Sequence, residues 1–318
     1  MTNKTPAQQS FAKKVLRFGC RTLISATPEN RFGDRFFSYI NFVIRHRRLP
    51  TQKLIFNDFL YQIKTTDEIL NPLRVFVSDK EFVKLYVKAL LDEKYNVPTI
   101  AVLESIDQVD SFDFPEACCI KPTQASGRVI LRRRGEDINR DEIKRWFSIN
   151  YYRSGREANY KTLKPKVIVE PLIFGNTNAE DFKFFCFNGE PRFIQVDIDR
   201  YINHTRKYFD TSWKELDFSI IYPKSDIPFA KPKNFDEMLS VAKALSRHFS
   251  MIRVDLYSDG NQLFVGELTN VSENASGNFI PPKAEAAASQ LLFGSQNSNP
   301  TPPQPQQRLV ADQCTAVS

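Results

Sequence analysis

Residues 251–270 read MIRVDLYSDGNQLFVGELTN, with apolar residues at every second position on either side of a short polar stretch. A two-residue period belongs to a strand buried on one face, so this segment commits the chain to an antiparallel hairpin within a sheet. Ile252, Val254 and Leu256 share one face of the first strand, and Phe264, Gly266 and Leu268 share one face of the second. An odd loop, Ser258 to Gln262, puts both sets on the same side, whereas a two-residue Asp-Gly turn would put them on opposite sides. In the odd register Arg253, Asp255, Tyr257, Val265, Glu267 and Thr269 project from the other face, with Glu267 opposite Arg253 and diagonal to Asp255. Carboxylates this close raise each other's pKa unless a cation separates them. The spot is therefore either a divalent-metal site or a solvated polar face with one ion pair.

The rest of the chain surrounds this hairpin with helices and strands in mixed order. After the short apolar VFV, the pattern predicts a helix over 79–94, opened by the capping-box spacing Ser78-Asp79-Lys80-Glu81. VPTIAVL, the strand CCIKP, a loop TQASG and the strand RVILRRR follow, then a helix near DEIKRWFSINYY. KVIVEPLI, FKFFCFNG and PRFIQVDID read as strands and NFDEMLSVAKALSRHF as a helix. This order predicts an α+β or α/β fold rather than a bundle or a sandwich. Three regions are expected: a basic, aromatic and partly helical segment over 1–73, the regular region over 74–288, and a disordered tail rich in Pro, Gln and Ser over 289–318.

Composition excludes several classes. The start of the chain has no apolar core long enough for a signal peptide and no later run approaches a membrane span, which predicts a cytoplasmic protein. The five cysteines show no CxxC spacing, so they read as small core residues in a reducing compartment. Three histidines far apart, His46, His204 and His248, argue against zinc. The net charge of +7 comes from scattered residues with no nucleic-acid-binding signature. A cluster of Arg45, Arg47, Arg48 and Lys53 is either a solvated basic face or a dock for an anionic polymer or an acidic membrane surface.

Two lysines invite a phosphate. Lys80 is placed in the first turn of its helix, where the dipole disfavours a cation; either an anion nearby offsets that cost or the stem reaches solvent. Lys121 ends the apolar run EACCIKP and precedes Thr123, Gln124, Ala125, Ser126 and Gly127, a small-residue loop whose backbone N–H groups could meet phosphate oxygens. The loop lacks the spacing of a P-loop. VDID supplies Asp197 and Asp199 as an alternating carboxylate pair of the type many sugar-nucleotide transferases use for a metal.

The order of SDKEFVKLYV, FPEACCIKPTQASG, KVIVEPLI, EDFKFFCFNGEPRFIQVDIDRYINHTRKYFDTSW, IRVDLYSDGNQLFVGELT and SGNFIPPKAE resembles the TupA-like branch of the ATP-grasp superfamily, named for a teichuronopeptide biosynthesis protein. The likeness runs from about Phe76 to Pro282 and implies an ATP-grasp fold with the nucleotide between two α+β lobes. It implies that Lys80 and Lys121 bind phosphates, that Glu170 and Leu172 lie at the adenine-binding connection, and that Asp181 and Lys183 flank the nucleotide. Asp255 and Glu267, with Thr269, would hold Mg²⁺, and Arg253 and Lys121 would sit at the transferred group. Most ATP-grasp enzymes carry Asn where this chain has Thr269, and Asn270 is expected on the opposite face. The loop after Lys121 is also poorer in glycine than the usual His-Gly-Ser-Gly form.

The implied reaction is attack of a carboxylate on the γ-phosphorus of ATP with Mg²⁺, giving an acyl phosphate that an amine captures. The TupA-like setting points to an amino acid or peptide joined to a uronic-acid-bearing surface polysaccharide or its precursor, at the inner face of the cell membrane. Arg200, His204, Arg206 and Asp210 are candidates for holding the acceptor or for purely structural roles. The alternatives are a metal-dependent glycosyltransferase using Asp197 and Asp199, a kinase on the same fold, and a non-catalytic polysaccharide-assembly partner.

Overall fold

A computed structural model describes residues 27–176, 180–199 and 203–294, with the isolated Gly19. The helices are α1 (Arg31–His46), α2 (Phe56–Thr65), α3 (Pro72–Phe76), α4 (Phe82–Leu90), α5 (Ile106–Ser111), α6 (Arg140–Trp146), α7 (Tyr151–Gly155), α8 (Phe235–Ser246) and α9 (Ala284–Phe293). The chain is α+β. A smaller antiparallel sheet joins β1 (Ala101–Leu103), β2 (Cys118–Pro122), β3 (Ile130–Arg132) and β4 (Val167–Glu170) in the order β1-β4-β2-β3. A larger one joins β5 (Glu180–Phe187), β6 (Glu190–Ile198), β7 (Thr205–Asp210), β9 (Met251–Ser258) and β10 (Leu263–Thr269) in the order β10-β9-β5-β6-β7. A short ladder of β8 (Ser219–Ile220) with β11 (Phe279–Ile280) closes one side.

Alternation along the larger sheet produces two unlike faces. On one, Phe182, Phe184, Ile194, Val196, Phe209, Ile252, Val254 and Leu256 form a dry core with Phe235, Met238 and Leu245 of α8 and Val83 and Val87 of α4. The other face is divided along its length. At one end Phe185, Phe193, Tyr208 and Met251 pack with Phe56 and Leu60 of α2 and Ala288 and Leu292 of α9. At the other end the same face carries Lys183, Asp197, Arg253, Asp255 and Glu267. Within residues 27–70, α2 packs onto this sheet, and Arg156 ties α1 down through Asp34 and the carbonyls of Thr27 and Pro28.

Three local expectations change. The helix predicted over 79–94 is regular only over Phe82–Leu90. Its cap is Asp79, whose Oδ1 accepts from the N–H groups of Glu81 and Phe82, while the Ser78 hydroxyl turns back to the carbonyl of Arg74. The boundary expected at residue 289 falls inside α9, because Ala288 and Leu292 are fully buried against the sheet.

The third change is the hairpin register. Ser258 pairs with Leu263, so the loop has the four residues Asp259 to Gln262, and a β-bulge at Gly266 shifts the ladder by one residue. Val265 thereby pairs with Leu256 and joins the core instead of the polar face. Beyond the bulge Glu267 lies opposite Asp255, and Thr269 lies opposite Arg253. Even loop and bulge together restore the polar face for Glu267 and Thr269. Gly266 is required there because a Cβ would come within 2.7 Å of the Tyr257 ring.

Candidate active site between the two sheets

The polar end of the larger sheet is a network of buried charge. Arg253 places Nε and Nη2 on the two oxygens of Asp255 at 2.6 and 2.7 Å, and Nη2 also reaches Glu267 at 3.3 Å and the Thr269 hydroxyl at 3.0 Å. Lys183, two strands away from Glu267, bonds Asp181 and stands 3.5 Å from both Asp197 and Asp255. Burial and the nearby Glu267 raise the pKa of Asp255 despite the opposing Arg253 and Lys183. Burial acts the same way on Glu267, but Lys80, Arg253 and Lys183 overcome it and hold that carboxyl down to about 2. The guanidinium of Arg253 bridges the two carboxylates.

The smaller lobe supplies the second wall. Lys84 and Lys121 grip the two oxygens of buried Glu170 at 2.5 and 2.7 Å. Burial disfavours the charge on Lys121, yet Glu170, Cys119 and Glu267 more than offset it and raise its pKa. Lys80 donates its N–H to the Thr123 carbonyl and its ammonium to the Ala125 carbonyl, 2.6 Å away. Burial lowers the Lys80 pKa, with Glu267 the largest opposing influence. Lys80, Lys121, Glu170 and Glu267 thus feel one another's charge across the gap between the sheets. Leu172 follows Glu170 beyond the end of β4 and is half-buried.

Lys84 and Lys166 were not visible as site residues in the sequence. Lys84 lies four residues after Lys80, one turn on in the helix expected over 79–94, which was the available signal. Lys166 bonds Glu81 and stands 3.6 Å from Asp79, so it braces the turn that carries Lys80. Gln195 escaped notice because its carboxamide, which donates to Asp197 two residues on, also accepts from the Tyr208 hydroxyl of the neighbouring strand, a contact that no local pattern announces.

The remaining candidates separate. Arg206 donates to Asp197 at 2.9 Å and to Glu273 at 3.0 Å, and His204 places Nε2 3.2 Å from Asp197 while stacking on Tyr222. Asp210 lies at the far end of β7, where its carboxylate accepts from the N–H groups of Ser212 and Lys214 and closes a turn. Arg200 lies outside the described residues. Asp197 and Asp199 do not act as a pair: Asp197 is buried among Lys183, Arg206 and Gln195, whereas β6 ends at Ile198 and Asp199 is exposed with φ 51°. Asn270 points to the opposite face as expected, accepting from Arg74 and donating to the Arg74 carbonyl and the Ser78 hydroxyl. Among the described residues no three His, Cys, Asp or Glu side chains are grouped to hold a metal by themselves.

The model of the TupA-like ATP-grasp family matches residues 61–289, a span that contains both walls of this cleft. The chain belongs to the TupA-like ATP-grasp family. Its fold is accordingly the ATP-grasp fold, with two α+β lobes facing across the lysine and carboxylate clusters. No curated protein matches the chain. Among solved structures it is similar to a D-alanine–D-alanine ligase from Helicobacter pylori, at 17% identity and TM-score 0.36, over 64% of this chain and 56% of that one. It is also similar to an L-amino acid ligase from Bacillus licheniformis, at 12% identity and TM-score 0.38, over 70% of this chain and 51% of that one. The ATP-grasp ligase PsnB with its minimal precursor stands at 16% identity and TM-score 0.36, covering 63% and 54%. The chain therefore spans little more than half the length of these ligases.

No helix of the described residues is long and apolar enough to cross a membrane. The expected cysteine role fits Cys118 and Cys186, which are buried and free. In the basic cluster Arg48 is engaged with Asp58 and Glu285, while Arg45, Arg47 and Lys53 are exposed.

Proposed function

We propose that this TupA-like ATP-grasp protein is an ATP-dependent carboxylate–amine ligase. The observation that carries this reading is that Lys80 and Lys121 of one lobe share the field of Glu267 from the other, where Arg253 bridges Glu267 and Asp255. A polyanion that enters the gap finds two ammonium groups on one side and a guanidinium on the other. A carboxylate attacks the γ-phosphorus, the β–γ bridging bond breaks, ADP leaves, and the resulting acyl phosphate is captured by an amine with loss of phosphate and a proton.

The residues divide this work. Lys80 is pinned by the Ala125 carbonyl at the small-residue loop, so its charge is held where phosphate oxygens arrive. Lys121 is positioned by Glu170, and Lys84 neutralises the rest of that carboxylate. The strand end at Glu170 and Leu172 provides the connection for the base, and Asp181 and Lys183 flank the nucleotide. Arg253 is preorganised by Asp255 to meet charge that develops on the transferred phosphoryl group. For Mg²⁺ the donors that reach the cleft are Glu267, with a side chain 32% exposed, and the Thr269 hydroxyl beside it, while Asp255 would join them only by releasing an oxygen from Arg253. When bound there, the ion would supply Lewis-acid neutralisation of phosphate charge.

The acceptor is an acidic, uronic-acid-bearing surface polysaccharide or precursor, and the amine comes from an amino acid or peptide, at the cytoplasmic side of the cell envelope. His204 and Arg206 lie on the strand beside Asp197 and are the groups available to hold that acceptor. The test is calorimetric titration of MgATP into the wild type and into Glu267→Gln and Asp255→Asn, with UDP-sugars as competitors. Mg²⁺-dependent ATP binding that weakens in Glu267→Gln supports the ligase; UDP-sugar binding without ATP binding overturns it.

A further inference from the structure

A cavity of about 260 Å³ opens beside the cleft, between the loop after β2 and the connection of α6 to α7. Tyr151 and Tyr160 form one wall, with ring centroids 4.8 Å apart and planes at 74°. Both phenols lie close enough to the charged cluster to feel Glu267, and Tyr160 also feels Arg253. The Tyr151 hydroxyl bonds Ser126 in the loop that follows Lys121.

The lining has a definite chemistry. It contains hydroxyls and carboxamides from Ser148, Asn150 and Gln124 and no carboxylate. Its one cation, Lys161, gives its ammonium to the Glu29 carbonyl at 2.7 Å. The Tyr160 hydroxyl has no hydrogen-bond partner among the described residues. A volume just under the range typical of drug-sized ligands admits a single small ring. A free amino acid would bring an ammonium group for which the wall offers no counter-charge, and an unpaired charge is costly to desolvate. An uncharged hydroxylated ring suits the wall better, because the Tyr rings can meet its C–H face and the Asn150 Nδ2 and Ser148 Oγ, whose hydroxyl donates to the Arg145 carbonyl and so keeps an accepting lone pair, can meet its hydroxyls.

We propose that this cavity binds one sugar unit of the acceptor, with Tyr160 as the residue that hydrogen-bonds it beside Arg253 and Glu267. The proposal rests on the ligase reading for its orientation toward the cleft, but not for the binding itself. It gives the aromatic pair a function.

The experiment is saturation-transfer NMR on the full chain, with methyl glucoside, glucuronate, L-alanine and L-glutamate as probes, beside MgATP calorimetry on the same samples. Saturation of methyl glucoside, and not of glucuronate or the amino acids, is expected. Tyr160→Phe should weaken the sugar about two- to tenfold, the range of one neutral hydrogen bond, and Ser148→Phe, on an exposed position, should block it by filling the cavity. MgATP affinity should be unchanged in both variants, which also reports that they fold. Amino acids binding in place of sugars, or sugar binding undiminished in both variants, overturns the proposal. Sugar binding without MgATP binding in the wild type overturns the ligase reading and leaves the cavity assignment standing.

Discussion

Glu267 stands directly opposite Asp255 across the hairpin, and the guanidinium of Arg253 touches both. The two carboxylates are nonetheless unequal. Asp255 has both oxygens on Arg253 and is buried, while Glu267 reaches the cleft and feels Lys80. Their replacement should separate stability from binding. Asp255→Asn should destabilise the fold by on the order of 3 kcal/mol, because it strips a buried guanidinium of its two-point partner. Glu267→Gln should cost less stability and more MgATP affinity. Urea denaturation and calorimetry on the same two variants check this, and equal losses in both measurements would refute the division.

The bulge at Gly266 is what turns Glu267 toward Asp255. Gly266→Ala should cost about 1–3 kcal/mol, since its new methyl meets a rigid ring rather than a flexible side-chain end. Combining it with Tyr257→Ala should recover part of that loss, giving a coupling energy in a double-mutant cycle. Additive effects would mean that the ring is not the obstacle.

Asn270 binds the turn before α4 to the end of β10 through three buried hydrogen bonds. Asn270→Ala should destabilise by roughly 1–3 kcal/mol through polar groups left unsatisfied. ATP affinity of the folded protein should be unaffected, because the side chain faces away from the cleft. A loss of MgATP binding at unchanged stability would place Asn270 in the site after all.

Lys64 and Glu157 predict a pH profile. Burial lowers Lys64 to about 8 and raises Glu157 to about 7, and no hydrogen bond to Lys64 Nζ compensates. For Glu157, whose folded pKa is raised, the associated stability is present below its ordinary pKa and lost as pH rises through 7. For Lys64, whose folded pKa is depressed, it is present above its ordinary pKa and lost as pH falls through 8. The contribution of these groups should therefore be lowest between pH 7 and 8 and recover on either side. Lys64→Met with Glu157→Gln should flatten that dip and raise the melting temperature at pH 7.5, as scanning calorimetry from pH 5 to 10 would reveal. An unchanged profile would rule the two groups out.

The sequence by itself determined much of this protein. Two-residue alternation in MIRVDLY and FKFFCFNG placed strands, and side chains such as Arg253 and Asp255 could only share a face, because that period is built into the backbone. The order of the strand and helix segments was enough for the ATP-grasp resemblance, and Asn270 could be assigned to the far face from parity alone.

Tertiary structure decided the rest. The bulge at Gly266 shifts the ladder by one residue, with the Tyr257 ring of the neighbouring strand lying where a Cβ would be, so the partner of Glu267 was not readable along the chain. Ser78-Asp79-Lys80-Glu81 matched a capping box, but contact with Arg74 took Ser78 and left the cap to Asp79. Asp197 and Asp199 alternate as a pair in the sequence, yet β6 stops between them and only Asp197 is enclosed by Lys183 and Arg206. Lys84 acquires its place only when β4 brings Glu170 alongside. Periodicity fixes which side of an element a residue occupies; which charges meet across a cleft depends on contacts between segments distant along the chain.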